Sequence, residues 1–175
     1  MKNLFKLIIL SCFIFFPLEK KLLASDIYFV DYSKVMNEST AGKKAQDYLK
    51  NQLKNSNKKF NDTAKKLKEE ENKIISQKNA LSKEEYKKKA DALRKKVFDL
   101  NKEREKSIRD IAAKRKKAGD LMLKNLNPIL GKYMEENKIP VVIDKKNVLM
   151  GDTKFEITKQ IIEILNKEFK SINLN

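Results

Sequence analysis

The sequence predicts a predominantly helical α+β fold: a small β-containing body from which a long antiparallel helical hairpin protrudes. Three observations carry this. With 37% charged and 41% hydrophobic residues, and only four Gly and three Pro in 175 residues, the composition is that of long helices rather than of a compact α/β domain. Apolar residues in the middle of the chain recur at heptad spacing, whereas short β-branched runs occur only towards the two ends. Ser82 with Glu85 forms a Ser-x-x-Glu capping box in the middle of the helical region, which divides it into two arms.

Taken in order, residues 1–24 have the layout of a secretory signal: a basic start at Lys2, an apolar run of ten residues from Leu7 to Phe16, and a small residue at Ala24, after which cleavage is expected. The run is far shorter than the roughly 20 residues that span a bilayer as a helix. A retained anchor is the alternative. Cys12 follows Ile9-Leu10-Ser11, a lipid-attachment-like box, but the apolar segment before it is too short to engage export, so Cys12 is read as a residue of the signal core. The exported chain then carries 36 basic and 23 acidic side chains, net +13, and no cysteine. Without disulfides such a polar chain must rely on packing and on oligomerisation. Its charge favours polyanionic partners or anionic surfaces.

Residues 25–39 open the body. Ile27-Tyr28-Phe29-Val30, closed by Asp31, reads as a buried strand, and Ser33 to Asn37 as one helical turn. Residues 40–127 form the arms. Thr40 is the expected N-cap of the first, whose thin stripe is Leu53, Phe60, Leu67 and Ile74. The tip is expected at about 79–83. The second arm has the fuller seam, Tyr86, Ala90, Leu93, Val97 and Leu100, continued in register by Arg104, Ser107, Ile111, Lys114, Ala118 and Leu121. Its polar middle predicts loosely packed or splayed arms. An arm of roughly 40 residues is on the order of 60 Å long.

Residues 128–175 complete the body. Pro128 is expected to kink or restart the helix, since proline lacks an amide donor and clashes with the preceding turn. Val141-Val142-Ile143-Asp144 and Val148-Leu149-Met150, joined by Lys145-Lys146-Asn147, read as a β-hairpin. Thr153 with Glu156 is a candidate capping box for a last helix with the apolar face Ile157, Ile161, Ile164, Leu165 and Phe169.

No His is present, and one Cys. The usual zinc sites, Ser-His-Asp or Cys-His nucleophile systems and imidazole acid–base chemistry are therefore excluded. No Gly-rich phosphate loop or metal cluster appears, so neither an enzyme nor a cofactor is expected.

These features together resemble the Skp/OmpH family of periplasmic outer-membrane-protein chaperones. The likeness rests on the exported basic chain, the opening Ile27-Tyr28-Phe29-Val30-Asp31, the charged helical hairpin, and above all the ending. There, Pro128-Ile129 leads to Ile139-Pro140-Val141-Val142-Ile143-Asp144-Lys145-Lys146-Asn147-Val148-Leu149-Met150, and Glu156-Ile157-Thr158 leads to Ile161 and Leu165-Asn166. The resemblance implies a jellyfish-like homotrimer: β-rich bodies joined in a central barrel, with three hairpins around a cavity that holds unfolded outer-membrane β-barrel proteins without ATP. It places Ile27, Phe29, Val30, Val141, Val142, Ile143 and Val148 in the trimer body and the inner faces of the arms against the client.

Candidates for client contact are Lys58, Phe60, Lys65, Tyr86, Phe98, Arg104, Arg109 and Arg115. The aromatic ones have an equally simple reading as packing between the arms, and the four arginines on the second arm, among 36 lysines, also fit genomic base-composition bias. Lys83, Lys87, Lys88 and Lys89 near the tip are candidates for contact with anionic lipid or lipopolysaccharide, against the reading of an ordinary solvated face. Glu69-Glu70-Glu71 is read as solvated. Two other functions remain open. A structural coiled-coil spacer of the envelope would keep its N-terminus. A basic nucleic-acid-binding coiled coil is favoured by charge alone, but the export signal and the lack of a base-reading motif oppose it, so nucleic acid is not the expected partner.

Overall fold

The structure is a computed structural model that describes residues 26–174. The expected export signal, residues 1–24, lies outside the described residues.

Strand β1 (Ile27–Val30) pairs in parallel with β2 (Val141–Asp144), Ile27 opposite Val141 and Val30 opposite Asp144. The partners are more than a hundred residues apart in sequence, and most of the chain between them forms the hairpin that leaves the body. β1 is held on a second side as well. Ile157 donates its N–H to the Phe29 carbonyl at 3.0 Å, and Phe29 forms a bridge with Glu156.

The expected β-hairpin of Val141–Asp144 with Val148–Met150 does not form. Lys145–Asn147 instead make a 3-10 turn that the Asp144 carboxylate caps by accepting the Lys146 N–H at 3.2 Å. The turn carries the chain away from β2, whose partner is β1, and leaves Leu149 and Met150 103% and 92% exposed.

Helix α1 (Tyr32–Glu38) is longer than the single turn expected, and Asp31 caps it by accepting the Lys34 N–H at 2.8 Å. The first arm, α2 (Thr40–Ser76), is capped by Ser39 rather than Thr40: the Ser39 hydroxyl accepts the Gly42 N–H at 3.2 Å, while the Thr40 N–H goes to the Asn166 side chain at 2.7 Å. Gly42 is required there, because a Cβ would collide with the Met36 carbonyl at the end of α1.

The second arm, α3 (Lys83–Glu136), runs 54 residues without a break. It passes through Pro128, so the expected restart does not occur. Proline removes one intrahelical bond, and Leu126 and Ile129, both buried on either side of it, hold the helix to the core. The helix is closed just beyond Glu136 by Lys138, the one non-glycine residue of positive φ among the described residues, with the Ile139 N–H reaching back to the Met134 carbonyl.

The last helix, α4 (Thr158–Glu168), starts later than the Thr153/Glu156 box implies. Thr153–Phe155 form a short 3-10 turn capped by Asp152, and Glu156 is engaged by Lys145 and Thr158 instead of capping. Ile157, Ile161 and Leu165 bury the expected apolar face against Val30, Val35, Met122 and Leu126, while Ile164 and Phe169 pack at the margin. Beyond α4 the chain crosses the root of the hairpin, where buried Leu174 joins Ala45, Leu49 and Ala118. Ile172 touches both this cluster and the main core.

Candidate functional site

The hairpin is the feature that leaves the core, and its seam explains its surface. Near the body, Ala45, Leu49 and Ala118 pack closely. Further out, Phe60 and Ile74 are the first-arm residues buried between the arms, while Leu67, Leu93 and Leu100 are half-buried. The polar middle of the seam is satisfied directly: Ser56 and Ser107 share a hydroxyl hydrogen bond at 2.9 Å, and the Lys114 ammonium donates to the Tyr48 hydroxyl at 2.7 Å. Ion pairs tie the arms together, Lys59 to Glu103 at 3.1 Å and Lys96 to Glu70 at 2.7 Å. With one apolar residue per heptad on α2, the seam cannot close fully.

Two large grooves lie along the incompletely closed seam. A distal one of about 640 Å³ is floored by Leu67, Leu93, Val97 and Leu100, with Phe98 at its lip. A proximal one of about 600 Å³ lies at the root, between Met36, Leu49, Leu53 and Ile111, with Lys50 and Arg115 on its margin.

The charge is divided between the parts. Residues 40–127 carry 27 Lys+Arg and 13 Asp+Glu, net +14, whereas the described remainder carries nine basic and ten acidic side chains. Nearly all the positive field therefore belongs to the arms. The tip is fixed by the Ser82 capping box: Ser82 accepts the Glu85 N–H at 3.2 Å, and Glu85 accepts the Ser82 N–H at 3.0 Å, which lowers the Glu85 carboxyl below its ordinary value. Among the described residues no cluster of Cys, Asp and Glu is arranged to hold a metal ion.

The structure sorts the candidate residues. Phe60 is buried between the arms and Tyr86 is half-buried, so both pack, at least in part, within the hairpin. Phe98 is 67% exposed at the distal groove, and Arg115 borders the proximal one. Arg104, Lys58 and Lys65 are exposed, and Arg109 is paired with Glu105 at 3.5 Å. Lys83, Lys87, Lys88 and Lys89 are exposed near the tip, Lys89 donating to the Gln77 side chain at 3.2 Å.

Of the body candidates, Phe29 and Val30 are buried within the chain itself, Ile27 and Val141 are exposed, and Val142, Ile143 and Val148 are half-buried. Val148 lies in a loop rather than on a strand. Sequence reasoning missed the groove floor, Leu67, Leu93 and Val97, because seam residues read as mutual packing. The signal was present in the thin stripe on α2, which leaves them without partners.

No curated protein matches the chain in sequence. Among solved structures, a proposed outer membrane chaperone (OmpH-like) from Caulobacter crescentus CB15 superposes with a TM-score of 0.79 at 17% identity, over 84% of this chain and 87% of that one, a likeness of fold. Residues 26–165, from β1 into α4, match the family described as Outer membrane protein (OmpH-like). The strand, the hairpin and the returning strand and helix are thus matched in order over most of the sequence, and the chain belongs to the OmpH-like family.

Proposed function

We propose that the protein is an ATP-independent holdase of the periplasm, a homotrimer that binds unfolded outer-membrane β-barrel proteins among its basic arms and prevents their aggregation in transit. The observation that carries this reading is the arm itself: a net charge of +14 on a projection with open apolar grooves, beside a body near neutrality. Such a surface attracts acidic unfolded chains over distance and then holds them by many weak contacts. Exposed ion pairs are worth roughly 0–1 kcal/mol each, so affinity rests on number and enclosure.

Family membership and the fold of the Caulobacter protein support the chaperone role. The signal-like residues 1–24 support export. Exposed Ile27, Val141, Leu149 and Met150 offer apolar surface for contacts between bodies, and Phe29 and Val30 hold the sheet that carries it. The lysines at 83 and 87–89 supply a contact for anionic lipid or lipopolysaccharide at the tip.

The test combines native mass with the aggregation of a urea-diluted outer-membrane β-barrel protein at low and high salt. A trimer that suppresses aggregation without nucleotide, less well at high salt, is expected. A monomer or dimer without effect overturns the reading and returns weight to a structural spacer.

A further inference from the structure

The two sides of the hairpin differ in chemistry. Along α3, Arg94, Asn101, Ile108 and Arg115 follow one another seven residues apart on one flank of the seam, and Lys96, Glu103, Asp110 and Lys117 do so on the other. The second flank is bridged by charge: Lys96 reaches Glu70 and Glu103 reaches Lys59, and the smaller clefts there, about 500 and 380 Å³, set Phe60 and Ile111, or Leu67 and Leu100, among Glu103, Lys106, Asp110 and Asp99. The first flank is open. Both apolar grooves lie on it, Arg94 and Asn101 bordering the distal one and Arg115 the proximal one, and Phe98 and Ile108 are 67% and 56% exposed along it.

We infer that this open flank alone is the surface on which an unfolded polypeptide is held, its apolar side chains seated in the two grooves and its acidic ones against Arg94 and Arg115. The inference rests on the holdase reading and assigns its contact face. Charge selects the occupant: with the arms at net +14, a second copy's arm is repelled, while a chain bearing carboxylates is drawn in. Spacing suits it as well. From Val97 to Ile111 the helix rises about 21 Å, which an extended segment of about six or seven residues spans. Such a segment reaches both grooves at once. The ion-paired flank offers smaller seats, about 500 and 380 Å³, with Asp99, Glu103 and Asp110 among their lining, whereas each groove of the open flank is bordered by one carboxylate, Glu71, which Lys68 pairs, or Asp47.

The test places a photoreactive phenylalanine analogue at position 98 or 108, or at 106 or 110, in the full chain, and irradiates it with a urea-diluted outer-membrane β-barrel protein. Aggregation suppression is followed in the same samples. Client crosslinks concentrated at 98 and 108 are expected. In binding titrations Phe98→Ser should raise the client dissociation constant about tenfold, and Lys106→Ser should change it less than about twofold, with unfolding temperatures unchanged because both sites are exposed. Equal or reversed crosslinking with aggregation still suppressed overturns the face assignment and leaves the holdase reading standing. Crosslinks between copies of this chain at 98 overturn it in favour of self-association. Absence of suppression by the unmodified protein overturns both.

Discussion

Thr158 is buried where the strand pair meets the last helix, and its hydroxyl acts in both directions, accepting the Asp31 N–H at 2.9 Å and donating to Glu156 at 2.9 Å. Thr158→Val keeps the shape and orphans a backbone donor, so a loss of about 1–3 kcal/mol is expected in denaturant unfolding. Glu156 also accepts from Lys145 at 2.8 Å, and this bond, opposed by partial burial and aided by Thr158, holds its carboxyl below the ordinary value of 4.5. The same bond raises the Lys145 ammonium above its ordinary 10.5. A lowered acid stabilises the fold above its unfolded value and stops doing so as pH falls through the folded one. A raised base stabilises below its unfolded value and stops as pH rises through the folded one. The bridge therefore contributes across the interval between about 4.5 and 10.5. Acid unfolding of Glu156→Gln should lie below the parent at neutral pH and converge with it well below pH 4.5; parallel curves throughout would show that the carboxylate adds nothing. Gly42 is the other residue with a fixed demand. Gly42→Ala forces α2 away from the Met36 carbonyl and should cost about 2–3 kcal/mol by thermal unfolding.

Among the elements, α3 carries the departure from sequence expectation. A proline inside a long amphipathic pattern is a stop signal when only local rules apply, yet Leu126 and Ile129 are both buried and fix the helix on each side of it. Pro128→Ala should therefore raise stability, by on the order of 1–3 kcal/mol in urea unfolding, since it restores a backbone bond in a helix that already runs unbroken through the core. A fall in stability would mean that the proline has a packing role. Ser82→Ala, which removes the cap at the tip, should speed amide exchange in the first turn of α3 by about fivefold, for a cost of about 1 kcal/mol, and leave the body unchanged. The capping box was legible because both partners sit within four residues. The missing β-hairpin was not, because Val148-Leu149-Met150 has strand composition, and what diverts it is a 3-10 turn closed by one carboxylate, together with β1, a partner from the far end of the chain. Likewise the Thr153/Glu156 box was a correct local pattern whose glutamate is taken by Lys145, a contact that only the fold supplies.

At the scale of the whole molecule, charge and the predominantly helical fold with its small β part were readable from the sequence, since these are sums and periods. The inequality of the hairpin's two flanks was not read, because it depends on which seam residues lack partners across α2. Salt should act on the arms and spare the body: raising ionic strength shortens the Debye length to a few ångströms at about 1 M, so client affinity should drop steeply while the unfolding temperature moves little, a contrast that fluorescence titration and calorimetry measure on one sample. The parallel pairing of β1 with β2 has a further consequence for how the protein comes into being. Ile27 cannot meet Val141 until the intervening chain has been made, and bringing the ends of so long an open loop together is slow and entropically costly. A preformed hairpin removes most of that cost, because it returns residue 128 to the neighbourhood of residue 40. Contacts local in sequence favour arms that fold first, with closure of the body then sensitive to the few residues at the far tip that turn the chain round.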